Sequence, residues 1–339
     1  MTHPGTDEHD DPERMTRRGT TARRLAPLCA AAALLAGVAA CGGGNGSAGT
    51  APASGTAVVT AATPGPTGGV AVAVEVNSDP NFEGTEVPFD PKNFVDPTLD
   101  TNPYHPLKPG LQWVRGGTTE VGRRVVPHEV ITTMTDVVRV IDGVTTIAML
   151  DESTDSGEVS QVGMDYMALD KDGNVWILGG YTEEFEGGAF TNAESAWLGR
   201  TGGGRVGVLS PARVDATTTR WFINAAPDEK PSVGQPIRVG ARECVQFGCY
   251  DDVRVVQEGN VGAPDNENKS YAPGVGVINN VPLDASLHKD RFQLLNFVTL
   301  SPAGLAEASK TVLDLEAHAR TTSPEVFTSA TTSKRLGGQ

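Results

Sequence analysis

The sequence predicts a mainly β fold: an antiparallel sheet closed by one C-terminal helix. Three observations carry this. Runs with period-two apolar alternation follow one another from residue 111 to residue 300. Turn signals separate them, the clearest being Asp142-Gly143, the Asp170–Asn174 stretch and Gly187-Gly188. No helical periodicity interrupts them, and a single 3.6-residue pattern appears only after Ser301.

The strands are expected at residues 111–115, 123–134, 137–141, 144–150, 161–169, 175–178, 181–185, 189–197, 237–243, 253–257, 269–271, 275–279 and 291–300. Within 123–134, Val126, His128 and Val130 share one face, and Val125, Ile131 and Thr133 lie on the other. The helix starts with Ser301 as cap and Pro302 in its first turn, and runs to about Arg320. Leu305, Ala308, Val312, Leu315 and Ala319 form its apolar stripe, which should face the sheet. Residues 321–339 carry no pattern and are expected to be disordered.

The chain has 339 residues, 38% of them hydrophobic, with 40 Gly and 23 Pro. That supports a globular core rich in turns. The net charge of -15 resides outside the first 40 residues, whose five Arg balance five acidic residues. This opposes binding to nucleic acid or to an anionic lipid surface by charge.

The N-terminal region reads as an export signal. Arg17, Arg18, Arg23 and Arg24 precede an uncharged, mostly apolar run over residues 25–40, too short to span a bilayer as a helix. Acidic residues precede this segment, so Met15 is the expected start. The run ends in Val38-Ala39-Ala40-Cys41, followed by three glycines. This resembles the lipobox of bacterial lipoproteins, which implies cleavage after residue 40 and attachment of acyl chains to Cys41. Two or more chains hold a protein firmly to a membrane. The expected partner is therefore the membrane, and the expected address its extracytoplasmic face. Residues 41–76, without charge from residue 42 to residue 74, form a flexible tether of roughly 30 Å root-mean-square reach. Residues 77–101, rich in Pro and Asp, are expected as extended chain, and residues 102–320 as the β domain.

Of the four cysteines, Cys29 and Cys41 belong to the signal region. Cys244 and Cys249 remain, and in an oxidising compartment a disulfide at a hairpin tip is expected. A redox centre usually uses a tighter Cys-x-x-Cys, and a zinc site needs two further ligands.

Other chemistry is hard to find. Asp170-Lys171-Asp172-Gly173-Asn174 departs from a calcium loop, with Gly at the fourth position and Tyr181 at the twelfth. His105, His128, His288 and His318 are far apart in sequence, and no Gly-x-Ser-x-Gly elbow occurs. The glycines at 202–204 lack a following Lys-Ser/Thr. Asp151, Glu152, Asp155 and Glu158 read as a solvated loop. No metal or cofactor is expected. The remaining candidates are apolar: Trp113, Met164, Tyr166, Trp176, Trp197 and Phe292 are candidate walls of a ligand cavity, with ordinary core packing as the simpler expectation.

Three segments, NPYHPLKPGLQW (102–113), ALDKDGNVW (168–176) and SYAPGVGV (270–277), resemble in order and spacing a group of secreted actinobacterial lipoproteins of unassigned function. The third also resembles envelope proteins of the LolA-type fold. The resemblance implies a curved, half-barrel-like antiparallel sheet packed on a helix, and brings no catalytic residues. This chain departs from the pattern in its cysteine-bearing hairpin tip. The expected function is non-enzymatic binding of a hydrophobic or amphipathic ligand or of an envelope partner. A structural or protein-interaction module, and a cell-wall enzyme with scattered site residues, are the alternatives.

Overall fold

The computed structural model describes residues 71–74, 79, 81–263, 266–284, 290–328 and 330–337. The export signal, Cys41 and nearly all of the tether lie outside them, as does His288.

Among the described residues, sixteen strands and two α-helices follow in order. Two short strands come first, β1 (Val72–Ala73) and β2 (Phe94–Val95). Then come β3 (Leu111–Val121), β4 (Arg124–Ile141), β5 (Val144–Asp155), β6 (Glu158–Asp170), β7 (Val175–Glu186), β8 (Ala189–Leu198) and β9 (Arg205–Ser210). β10 (Trp221–Ala225), β11 (Ser232–Val245), β12 (Gly248–Asn260), β13 (Glu267–Ala272), β14 (Gly276–Pro282) and β15 (Arg291–Thr299) complete the wall. α1 (Pro302–Thr322), α2 (Pro324–Phe327) and β16 (Lys334–Arg335) close the chain.

The sheet is antiparallel and mainly built from sequence neighbours, as expected, but it closes. β15 pairs with β3, with Phe297 opposite Trp113, and so completes a ring of 12 strands. Closure removes sheet edges, whose unpaired backbone groups would otherwise need cover. β8 is the exception. It pairs with the upper half of β7, while β9 pairs with the lower half and carries the ring on to β10.

Local chemistry sets the hairpins. Asp142 and Gly143 take φ of 49° and 83°, and Gly187 and Gly188 take 57° and 77°. Two consecutive left-handed residues form the turn that matches strand twist. In β4, Met134 faces Met149 but Val138 faces Ile147, so extra residues bulge out between them. The end of β4 thereby leaves β3 and pairs instead with β16.

The ring has two faces. α1 lies on the outer face against β4, β5, β6 and β8. Ser301 caps it by accepting from the Gly304 amide, and Val312, Leu315 and Ala319 are buried against the sheet. The expectation of a disordered tail is corrected. Residues 324–327 are helical, and Arg335 binds Asp136 through both carboxylate oxygens at 2.8 Å. These contacts join parts of the chain too far apart to leave a periodic signal. The tether expectation is likewise corrected at its end, where β1 pairs with β11.

One end of the ring is crossed by residues 102–107. Asn102 Nδ2 donates to the carbonyls of Gly173 and Ser210, Tyr104 Oη to Asp252, and the Gly274 amide to the Pro103 carbonyl. The anchors come from hairpins and strand ends around the ring, so the segment plugs it.

Candidate functional site: a charged interior and an outer groove

Pairing registers place Trp113, Arg115, Thr132, Asp151 and Phe292 on the inner face. Arg115 donates to Thr132 Oγ1 at 2.7 Å and to the Val277 carbonyl at 3.0 Å. Thr132 in turn donates to Asp151 at 2.6 Å. The Arg115 guanidinium lies 5.9 Å from the Trp113 ring and 6.0 Å from the Phe292 ring. On the facing wall Lys269 pairs with Glu258 at 3.2 Å and Glu267 at 2.9 Å, and Tyr271 donates to Glu258. Arg254 lies 3.5 Å from the Tyr104 ring centre.

His105, in the plug, sees this charge directly. Burial, with Arg115 and Lys269 adding repulsion, lowers its pKa to about 4. The cavity beside His105, Trp113, Arg115 and Met149 measures about 30 Å³, and that beside Tyr104, Trp221 and Arg254 about 10 Å³. Each is close to the room one water needs.

The six apolar candidates therefore do not form one wall. Trp113, Trp197 and Phe292 lie on the inner face. Met164, Tyr166 and Trp176 lie on the outer face. Tyr166 reaches Glu316 of α1 at 3.3 Å, with Met164 Sδ 3.5 Å from its hydroxyl. Trp176 packs on Phe89 and Phe94, with ring centres 6.0 and 5.3 Å away. Its indole donates to Asp170 at 2.8 Å. Asp170 also accepts from the Asp172 and Asn174 amides and from Asn174 Nδ2, so its carboxylate organises a hairpin turn.

The acidic stretch from Asp151 to Glu158 is not a solvated loop. Asp151, Glu152 and Asp155 belong to β5, and Glu158 opens β6. Asp151 is 1% exposed. Glu152 stands on the outer face between Ile131 and Val162. Burial, with the charge of Asp151 adding, pushes its pKa up to about 7. Period-two alternation runs on through these residues, but their polarity hides it.

Cys244 and Cys249 form the expected disulfide, paired across the β11–β12 hairpin. The arm they lock folds over the outer face of β13, β14 and β15. Glu243 accepts from Ser270 at 2.9 Å and Asn279 at 2.8 Å. The Gln246 amide donates to Gln293 at 2.9 Å, and the Phe247 amide to the Leu294 carbonyl at 3.2 Å. Between arm and wall runs a groove of about 510 Å³, lined by Gly116, Glu129, Thr154, Gln246, Gln293 and Leu295 among others. A Cβ at Gly116 would stand 2.5 Å from Leu295, so glycine keeps the wall flat there.

His128 adjoins this groove with its side chain 5% exposed. Its Nδ1 lies 2.7 Å from Asp155 and its Nε2 4.0 Å from Asp290. Burial alone would lower its pKa, but the Asp155 hydrogen bond and the two carboxylate charges outweigh it, and the net shift is upward. Among the described residues no group of three His, Cys, Asp or Glu is placed to hold a metal ion. Neither the arm's fold-over nor the groove left a sequence signal beyond the two cysteines.

Comparison of the chain with protein-family models, with curated proteins and with solved structures returns no match.

Proposed function

We propose that this chain is a membrane-anchored, extracytoplasmic lipoprotein that works by binding, and that the groove under the disulfide arm holds an amphipathic segment of an envelope partner. The Cys41 lipobox supports the anchor and the address. The groove supports the binding. Its wall offers bare backbone at Gly116, primary amides at Gln246 and Gln293, a carboxylate at Glu129 and apolar surface at Leu295. That mixture suits a chain with both hydrogen-bonding and apolar groups. The lining includes no lysine or arginine, which disfavours an anionic partner.

An apolar ligand inside the ring has less support. The inner face carries Arg115, Asp151, Arg254, Glu258 and Lys269, and such charges are costly to leave against hydrocarbon.

Photo-crosslinking in cells tests the reading. A crosslinker at Gln246 should give an adduct that one at Glu307, exposed on α1, does not, and Glu129→Arg should abolish it. Equal adducts from both sites, or none from Gln246, would overturn the groove assignment. Loss of fatty-acid labelling in Cys41→Ser tests the anchor separately.

A further inference from the structure

We propose that His128 is a proton-operated latch on the disulfide arm, holding the groove closed when the imidazole is charged and loosening it when the imidazole is neutral. This regulation rests on the groove reading above.

His128 stands on the inner face, directly opposite Asp155 of β5 and Gly117 of β3. Gly117 in turn faces Phe292 of β15. With no side chain at Gly117, the imidazole spans the closing seam. Its Nδ1 is 2.7 Å from Asp155, and its Nε2 is 4.0 Å from Asp290, just before β15. A carboxylate accepts, so Nδ1 keeps its proton and Nε2 carries the one that comes and goes. Nε2 is buried and has no hydrogen-bond partner among the described residues. Charged, the ring attracts Asp290. Neutral, it turns a lone pair toward that carboxylate.

Asp290 is joined to the groove by the chain itself. Three residues on, Gln293 accepts from the Gln246 amide, and Leu294 accepts from the Phe247 amide. A shift of Asp290 therefore reaches both bonds that clamp the arm's tip. The start of β15 is lightly held on its other side. Among the described residues β14 meets β15 only at Asn279–Gln293 and Asn280–Phe292. Thr119 donates to the Asp290 carboxylate, and Asn280 donates to its carbonyl at 2.9 Å.

Other charges around the seam are already engaged or face away. Glu267 on β13 accepts from Asn280 at 2.7 Å and pairs with Lys269 at 2.9 Å. Arg115 and Asp151 lie farther along the interior, both bonded to Thr132. Arg291 is exposed and, by alternation, turned outward. Glu129 and Glu152 stand on the outer face. Glu152 titrates in the same range and is the competing source of pH dependence. His288 lies outside the described residues.

The experiment measures amide protection in the full chain in detergent, corrected for the intrinsic pH dependence of exchange, at about pH 5.5 and about pH 9. Protection at Gln246 and Phe247 should fall about tenfold at the higher value while Ile177 on β7 holds level. His128→Gln should abolish the fall, and Glu152→Gln and His288→Gln should keep it. Asp290→Asn leaves the His128–Asp155 pair intact and should also abolish it, which decides the matter should His128→Gln misfold. Protection unchanged by pH, a fall that survives in His128→Gln or Asp290→Asn, or a fall lost in Glu152→Gln or His288→Gln would each overturn the latch. The Gln246 crosslinker separates the two readings. An adduct formed equally at both pH values overturns the latch and spares the groove. Protection that follows pH as expected, with no adduct at either value, overturns the groove and spares the coupling of His128 to the arm.

Discussion

Arg139 on β4 and Glu316 on α1 meet at 3.2 Å with side chains 0% and 5% exposed. The Tyr166 and Phe327 rings flank the guanidinium at 5.4 and 5.1 Å. Glu316 also accepts from Arg320 at 2.8 Å and from the Ser333 amide at 3.2 Å. One carboxylate thus ties the helix, the C-terminal segment and the barrel wall together.

Removing that carboxylate leaves a buried cation without its partner. Glu316→Ala should cost about 3–5 kcal/mol, read as a fall in the denaturant midpoint. Arg139→Met with Glu316→Leu should recover most of the loss, because the desolvation of both charges disappears with them.

Glu152 makes stability depend on pH. Its folded pKa of about 7 lies above the ordinary 4.5, so the folded state holds the proton more tightly. Its contribution is full below pH 4.5 and is lost as pH rises toward 7. Glu152→Gln should lack this slope and exceed the parent above pH 7 by on the order of 1–2 kcal/mol in urea titrations.

His128 acts in the same direction. Its folded pKa is raised above the ordinary 6.5, so its stabilisation is complete below that value and fades as pH climbs through the folded pKa. Imidazole NMR should place its midpoint above 6.5, and Asp155→Asn should move it down. A midpoint unchanged by that substitution would separate His128 from Asp155.

Gly117 is a close-approach position. A Cβ there would stand 1.7 Å from the Arg291 carbonyl oxygen, between β3 and β15. Gly117→Ala should force the closing strands apart and cost about 3 kcal/mol. Gly187→Ala meets nothing within 4 Å and strains only its φ of 57°, costing about 1 kcal/mol.

The disulfide closes a short loop. Cys244→Ala with Cys249→Ala should cost about 2 kcal/mol in thermal melts. Amide exchange should rise at Gln246 and Phe247, whose bonds hold the arm across β15.

Much of the local architecture was legible in the sequence. Asp142-Gly143 and Gly187-Gly188 marked hairpins because few residue pairs take two left-handed conformations in a row. The apolar stripe from Leu305 to Ala319 marked the helix, and Cys244 with Cys249 the locked tip. β9 and β10 escaped notice because each is short and stands beside turn residues. The buried Asp151 escaped because carboxylates are seldom buried unless paired, and its contact with Thr132 is made across a strand.

The sequence by itself determined most of the long strands, the turns between them and the one long helix. These follow from dihedral preferences and from periodicity over a few residues. Tertiary structure alone decided that β15 meets β3 and closes the ring, and which face of each strand became the charged interior. It also separated Trp113 from Tyr166 and set Glu316 beneath the tail. Alternation shows that a strand has two unlike faces, but only closure, made by pairing between distant parts of the chain, decides which face turns inward.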